Sequence, residues 1–187
     1  MKRLDTRLDG PMLLAPDVFG DERGFFCETY RRSAFIELGI HEEMVQDNHS
    51  RSRRGVVRGM HFSIGRGATK LVRAGRGAIH DVLVDLRRGS PTFGQWEGFD
   101  LTEENMHILY VPVGFAHGFC VLSDTADVLY KQDTYYEPDI DRAFKYDDPD
   151  VGIEWPVPAV DLKTSERDLN APRLRDIADS LPFEYVG

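Results

Sequence analysis

The chain has 187 residues, 41% of them hydrophobic and 11% aromatic, and a formal net charge of −9 at pH 7. That length predicts one domain over residues 1–187, and the composition is that of a folded globular protein rather than a disordered one. The acidic balance argues against general nucleic-acid or membrane binding, and no apolar run reaches the roughly 18 residues that a bilayer-spanning helix needs.

The opening stretch, MKRLDTRLDGPMLLAP, carries charges throughout and is interrupted by Pro11. It lacks the apolar core of a secretory signal, which predicts a cytoplasmic protein. Residues 31–39, RRSAFIELG, read as a helix with Phe35 and Leu38 on one face and Gly39 at its stop. From residue 55 onward the hydrophobic period is two. GVVRGMHF (55–62), TKLVRA (69–74), GAIHDVLVDLR (77–87), TFGQWEGFDL (92–101), HILYVPV (107–113), FCVLS (119–123) and DVLYKQDTYY (127–136) read as strands. Clusters of Gly, Pro, Ser, Asp and Asn separate them. Residues 137–164 hold four of the ten prolines and read as an ordered excursion. A second helix is predicted over 171–181, with Pro172 in its first turn and a stripe of Leu174, Ile177, Ala178 and Leu181. Many short strands with no long helix between them predict an all-β antiparallel sandwich or barrel, its few helices packed outside.

Two features stand out against this background. Cys27 and Cys120 are too few for a disulfide framework and form no C-x-x-C pair, so both read as buried small hydrophobes. Between Asn48 and His80 there is no Asp or Glu, while Arg51, Arg53, Arg54, Arg58, Arg66, Lys70, Arg73 and Arg76 supply eight cations. Singly these are solvated surface charges; as a cluster they suit a small anionic ligand.

His61 sits inside this basic run, flanked at alternate positions by Gly59 and Ser63, which leave its imidazole uncrowded. Strict alternation points Arg58 to the opposite side, so a site using both residues requires a twist or bulge at Gly59. A metal site was weighed from Pro112, Gly114 and His117, which match the P-x-G-x-x-H element of metal-binding cupins. The H-x-H pair and glutamate that complete such sites are missing, and no metal is expected.

DERGFF (21–26), VQDNHSRS (45–52), GVVRGMHF (55–62), KLVRA (70–74), DVLVDLRRGSPTFGQW (81–96), VPVGFAHGF (111–119), YKQDTYY (130–136), DDPDVGIEWP (147–156) and SERD (165–168) occur in this order. Over nearly the whole chain the sequence resembles the dTDP-4-dehydrorhamnose 3,5-epimerases. The resemblance implies a cupin-like jelly roll without cofactor or metal, a dTDP-sugar substrate and a homodimer with strand exchange. The family's reaction inverts carbons 3 and 5 of a dTDP-4-keto-6-deoxyglucose, both beside the ketone at carbon 4. Such a reaction needs a base on one face, a cation or donor at the enolate oxygen, and an acid on the other face.

By the resemblance, His61 is the base, Asp168 its partner and Tyr130 the acid. Taken alone, Asp168 reads equally as a carboxylate at a helix start, and chemistry does not separate Tyr130 from Tyr135 or Tyr136. Lys70 is implied at the enolate oxygen, with Arg58 as a second cation or phosphate contact. Gln46, Asn48 and His117 would line the sugar site, and Arg23, Phe26 and Glu28 would reach the nucleotide bound by a neighbouring subunit. Ser63 stands where the family commonly has glutamine, and IGRGAT (64–69) departs from its usual polar loop. These departures bear on the choice of sugar, so a 5- or 3-monoepimerase is the main alternative. A metal-dependent cupin enzyme and a non-catalytic sugar-binding jelly roll are the others.

Overall fold

Period-two alternation becomes two facing antiparallel sheets in the computed structural model, which describes residues 1–186. The strands are β1 (Lys2–Leu4), β2 (Met12–Ala15), β3 (Val18–Asp21), β4 (Gly24–Cys27), β5 (Gln46–Arg53), β6 (Val57–Ser63) and β7 (Lys70–Arg76). They continue with β8 (Ala78–Asp85), β9 (Trp96–Thr102), β10 (Ile108–Val111), β11 (Phe115–Val121), β12 (Thr125–Gln132) and β13 (Asp141–Ala143). One sheet has the order β1-β2-β10-β7-β12-β5 and the other β13-β6-β11-β8-β9, while β3 and β4 form a separate hairpin. This is the jelly-roll sandwich that the resemblance implies, with short helices outside it.

The strict period of two decides which side chains meet between the sheets. Val72, Ala74, Leu109, Val111 and Val128 of the first sheet face Ile79, Leu83, Phe99, Leu101, Phe115, Phe119 and Val121 of the second in one apolar core. The alternate residues Val82, Val84, Met60 and Phe62 point outward and are covered by Phe144, Leu174, Leu181 and Phe183 from the C-terminal segment. Because β8 and β11 are covered on both faces, they read as nearly continuous apolar runs. α1 (Arg32–Glu37) buries Phe35 against Leu14, Leu71, Ile108 and Tyr110 on the outer face of the first sheet.

Several expectations shift in detail. β11 begins at Phe115, before the strand predicted over 119–123, because its Gly- and Ala-rich start is paired on both sides by β6 and β8. β12 ends at Gln132, leaving Tyr135 and Tyr136 exposed in the loop that follows. The helix predicted over 171–181 is one turn, α3 (Leu174–Ile177), continued by a 3-10 turn. Its N-cap is Arg173, so Pro172 lies before the helix rather than in its first turn. No strand is expected from the sequence at β1 to β4 or at β13, and no helix at α2 (Glu166–Leu169) with its Ser165 cap. Cys120 is buried, but Cys27 is only partly so.

The feature that organises the site lies in β6. Its partner residues on β11 run from Val57↔Cys120 and Arg58↔Phe119 to His61↔His117, so three steps along β6 match two along β11. That extra residue is a β-bulge, and it reverses the alternation: Arg58 and His61 come to share the interior face. Gly59 makes this possible with φ +140 and an approach so close that an added Cβ would lie 2.5 Å from the Cα of Gly118. Gly118 is constrained in return, since its own Cβ would meet the sulfur of Met60 at 2.6 Å.

Gly59→Ala should therefore destabilise the fold by about 2 kcal/mol or more, through backbone strain and overpacking together. Gly65→Ala is the control, because φ there is +71 but an added methyl meets nothing within 4 Å; it should cost about 1 kcal/mol. Urea unfolding of both variants checks this, and equal losses would contradict a tightly packed bulge.

Candidate active site

Apolar side chains do not fill the whole space between the sheets. From the second sheet Arg58 and His61 of β6, Asp81 of β8 and His117 of β11 enter it, and from the first come Lys70 of β7, Tyr130 of β12 and the even-numbered residues of β5. Cross-sheet contacts tie the two sets together. The rings of His117 and Tyr130 meet edge to face at 6.2 Å, and Arg58 Nε donates to Ser52 Oγ at 3.0 Å. Tyr130 Oη lies 3.4 Å from Ser50 Oγ, and Asn48 is the cross-strand neighbour of Tyr130.

His61 Nε2 is 2.7 Å from Asp168 Oδ1, a pairing that fixes the ring and leaves Nδ1 for a ligand. Asp168 is buried, and its Oδ2 accepts from the Gly59 amide at 3.4 Å, so the bulge and the dyad are one construction. Asp168 also stands in the first turn of α2, capped by Ser165, so one residue both begins that helix and bonds His61. Burial pushes its carboxyl up, but the hydrogen bond and charge of His61, with the Gly59 amide and Ser165, outweigh burial and hold it below the usual value.

Burial acts differently on the groups across the cleft. It pushes the Tyr130 phenol up to about 12, with Ser50 and Arg58 opposing and Asp81 adding to the rise. The phenol therefore keeps its proton and can donate it. Burial drives the Lys70 ammonium below the usual lysine value, against support from Asp141 and Asp81. A desolvated cation of this kind interacts strongly with charge that develops beside it.

A pocket of about 300 Å³ opens at His61 and Asp168 and is also lined by Arg58, Lys163 and Arg167. Lys163 and Arg167 were not singled out in the sequence. Arg167 directly precedes Asp168, which was the available signal; Lys163 is brought in by a bridge between its own backbone and Val56. Gln46 donates to Asn48 Oδ1 at 2.9 Å and accepts from the Tyr136 amide at 2.9 Å, which ties the loop after β12 to β5. Arg23, Phe26 and Glu28 are not brought to this cleft by their own chain. They lie on or next to the β3–β4 hairpin, where Arg23 pairs with Asp21, Glu28 with Arg31, and Phe26 is 69% exposed. His117 Nε2 is bonded to Asp81 at 2.8 Å, and among the described residues no three His, Cys, Asp or Glu side chains converge as a metal site. A separate groove of about 750 Å³, beside Phe93, Trp96 and α3, contains none of these residues.

A base oriented by a carboxylate on one sheet, with a phenol and an ammonium on the other, can take a proton from one side of a carbon acid and return one from the other. Comparison with known proteins narrows the class: the family model described as dTDP-4-dehydrorhamnose 3,5-epimerase matches residues 5–176, and the chain belongs to that family. It is 49% identical over 180 residues to the dTDP-4-dehydrorhamnose 3,5-epimerase of Pseudomonas aeruginosa, covering 95% of this chain and 98% of that one. The counterpart from Methanothermobacter thermautotrophicus is 48% identical over 174 residues, with 92% and 94% covered. The crystal structure of the Legionella pneumophila dTDP-6-deoxy-D-glucose-3,5-epimerase in complex with dTDP-4-keto-L-rhamnose matches with a TM-score of 0.95 and 42% identity, covering 100% and 99% of the two chains.

A carboxyl held low by the fold contributes stability above its unfolded value and loses that contribution as pH falls through its folded value. Between about pH 5 and about pH 2 the wild type should thus lose more stability than Asp168→Asn, which has no such proton to bind. Denaturant midpoints measured at stepped pH check the difference, and parallel curves would contradict a His61-stabilised carboxylate.

Proposed function

We propose that this protein inverts carbons 3 and 5 of dTDP-4-keto-6-deoxy-D-glucose to give dTDP-4-keto-L-rhamnose. The observation that carries the reading is the opposition of His61, bonded to Asp168, on one sheet to Tyr130 on the other, with His117, the cross-strand neighbour of His61, meeting the Tyr130 ring edge to face at 6.2 Å. His61 Nδ1 takes the proton α to the ketone, and Asp168 stabilises the imidazolium that forms. The electrons left on carbon move onto the ketone oxygen, where Lys70 meets the developing charge. Tyr130 then protonates the carbon from the other face, and inversion follows from the change of face. The same steps serve both carbons, since both flank one carbonyl.

Arg58, Lys163 and Arg167 would bind the diphosphate, a role suited to guanidinium and ammonium groups at a pocket mouth. Gln46, Asn48 and His117 would orient the sugar. The exposed hairpin residues Phe19, Phe25 and Phe26 form an apolar surface without cover in their own chain, at 65%, 63% and 69% exposure. We assign them to a homodimer in which Arg23, Phe26 and Glu28 complete the nucleotide site of the partner subunit. No described helix is long and apolar enough to cross a membrane; the cytoplasm is the compartment in which we place the enzyme.

Incubation with dTDP-4-keto-6-deoxyglucose in deuterated water, followed by NMR, should show solvent deuterium at both carbons with inversion. His61→Ala should lower exchange at both by roughly 10²- to 10⁴-fold, the usual worth of a general base. Tyr130→Phe should slow inversion while leaving measurable exchange. Deuterium at a single carbon would assign a monoepimerase instead, and wild-type turnover in His61→Ala would remove His61 as the base.

A further inference from the structure

Asp81 occupies a position at which the fold alone favours a hydrophobic residue. It lies in the middle of β8, on the same face as Ile79 and Leu83, and its cross-strand neighbours are Phe119 on β11 and Phe99 on β9. Its exposure is 0%. One oxygen, Oδ2, accepts from His117 Nε2 at 2.8 Å, while Oδ1 is buried without a hydrogen-bond partner among the described residues. A buried carboxylate oxygen left unpaired costs stability, and a valine or leucine here would avoid that cost. Packing therefore does not account for the residue.

What Asp81 faces supplies a reason. His117 joins it from β11, Lys70 from β7 and Tyr130 from β12, and its neighbour His80 lies on the opposite face of β8. Lys70 points into the same space from β7, two residues along from Val72, which is the cross-strand neighbour of Tyr130 on β12. The two carboxylates whose charge supports its ammonium are Asp141 and Asp81. We propose that Asp81 is a positioning residue for the oxyanion side of the cleft: one oxygen fixes the ring of His117, and the other is a buried counter-charge that keeps Lys70 an ammonium. The proposal rests on the assignment of Lys70 to the enolate oxygen.

The sign of the effect follows from electrostatics. Burial already favours loss of the Lys70 proton, and Asp81 opposes it. Replacing the carboxylate by an amide removes that opposition, so the ammonium is lost at lower pH. Activity that requires the ammonium is present below the Lys70 value and disappears as pH rises through it. Burial also pushes the Asp81 carboxyl up, against the pull of His117, His80 and Lys70, so Asp81 and Lys70 each oppose loss of the other's charge.

The test is the pH dependence of kcat and KM for the full-length enzyme and Asp81→Asn. The alkaline limb of kcat should move down by about one pH unit, the size expected for losing one nearby opposite charge, with KM changed less than about threefold. In a Lys70→Arg background Asp81→Asn should leave the limb in place, because a guanidinium keeps its charge throughout. A purely structural role would lower the melting temperature with the limb unmoved, and that result overturns the proposal. Should Asp81→Asn not fold, imidazole ¹⁵N spectra of the wild type carry the test: a proton on His117 Nε2 supports the proposal and a bare Nε2 overturns it. If Lys70→Met turns over at the wild-type rate, the assignment of Lys70 fails and takes this inference with it. If Lys70→Met is impaired and the limb in Asp81→Asn is unmoved, only the inference fails.

Discussion

One extra residue in β6 decides what this sandwich can do. Without the bulge at Gly59, alternation would put Arg58 and His61 on opposite faces, one between the sheets and one outside. With it, a cation and an imidazole share the interior, and the Gly59 amide becomes a donor to the carboxylate that orients His61. The bulge exists because two strands approach at a pair of glycines, Gly59 and Gly118, where neither has room for a side chain. Backbone geometry thus sets the chemistry of the cleft before any catalytic side chain is considered.

The second determinant is desolvation, which acts with opposite consequences on groups of different type. It raises the Tyr130 phenol, keeping it a proton donor, and it lowers the Lys70 ammonium below the usual lysine value. An acid–base cleft gains from the first effect and must resist the second. Buried carboxylates at a distance supply that resistance without quenching the cation by direct contact, which leaves Lys70 free for a ligand's charge. His61 with Asp168 and His117 with Asp81 are two imidazole–carboxylate pairs whose histidines lie on adjacent strands, and they differ in access: His61 is partly open, whereas the His117 pair is enclosed.

The strands rich in Val, Ile and Leu were legible because burial on one or both faces imposes a period that composition records. Strands β1 to β4 were not, being three or four residues long and broken by Asp, Gly and Pro. The first half of β11, FAHG, has Phe115 as its one strand former and is held by its two neighbours, a tertiary effect that local propensity does not carry. At the site, His61 was visible as an uncrowded histidine in a basic run, but its pairing with Asp168 came only from resemblance, since more than half the chain separates them. Alternation mispointed Arg58, and Gly59 was the single clue to the bulge. Asp81 was hidden for a different reason: in DVLVDL a carboxylate at an interior position looks like a break in the pattern, not a part of the site.

The proposed inversion requires two rings holding one sugar from opposite sides. The most direct measurement is a crystal structure of this protein with a dTDP-hexose bound. The hexose should lie between the sheets with His61 Nδ1 against one face of the ring, the Tyr130 oxygen against the other, and Lys70 at the oxygen on carbon 4. A hexose with both rings on the same side, or one seated away from the cleft, would contradict it.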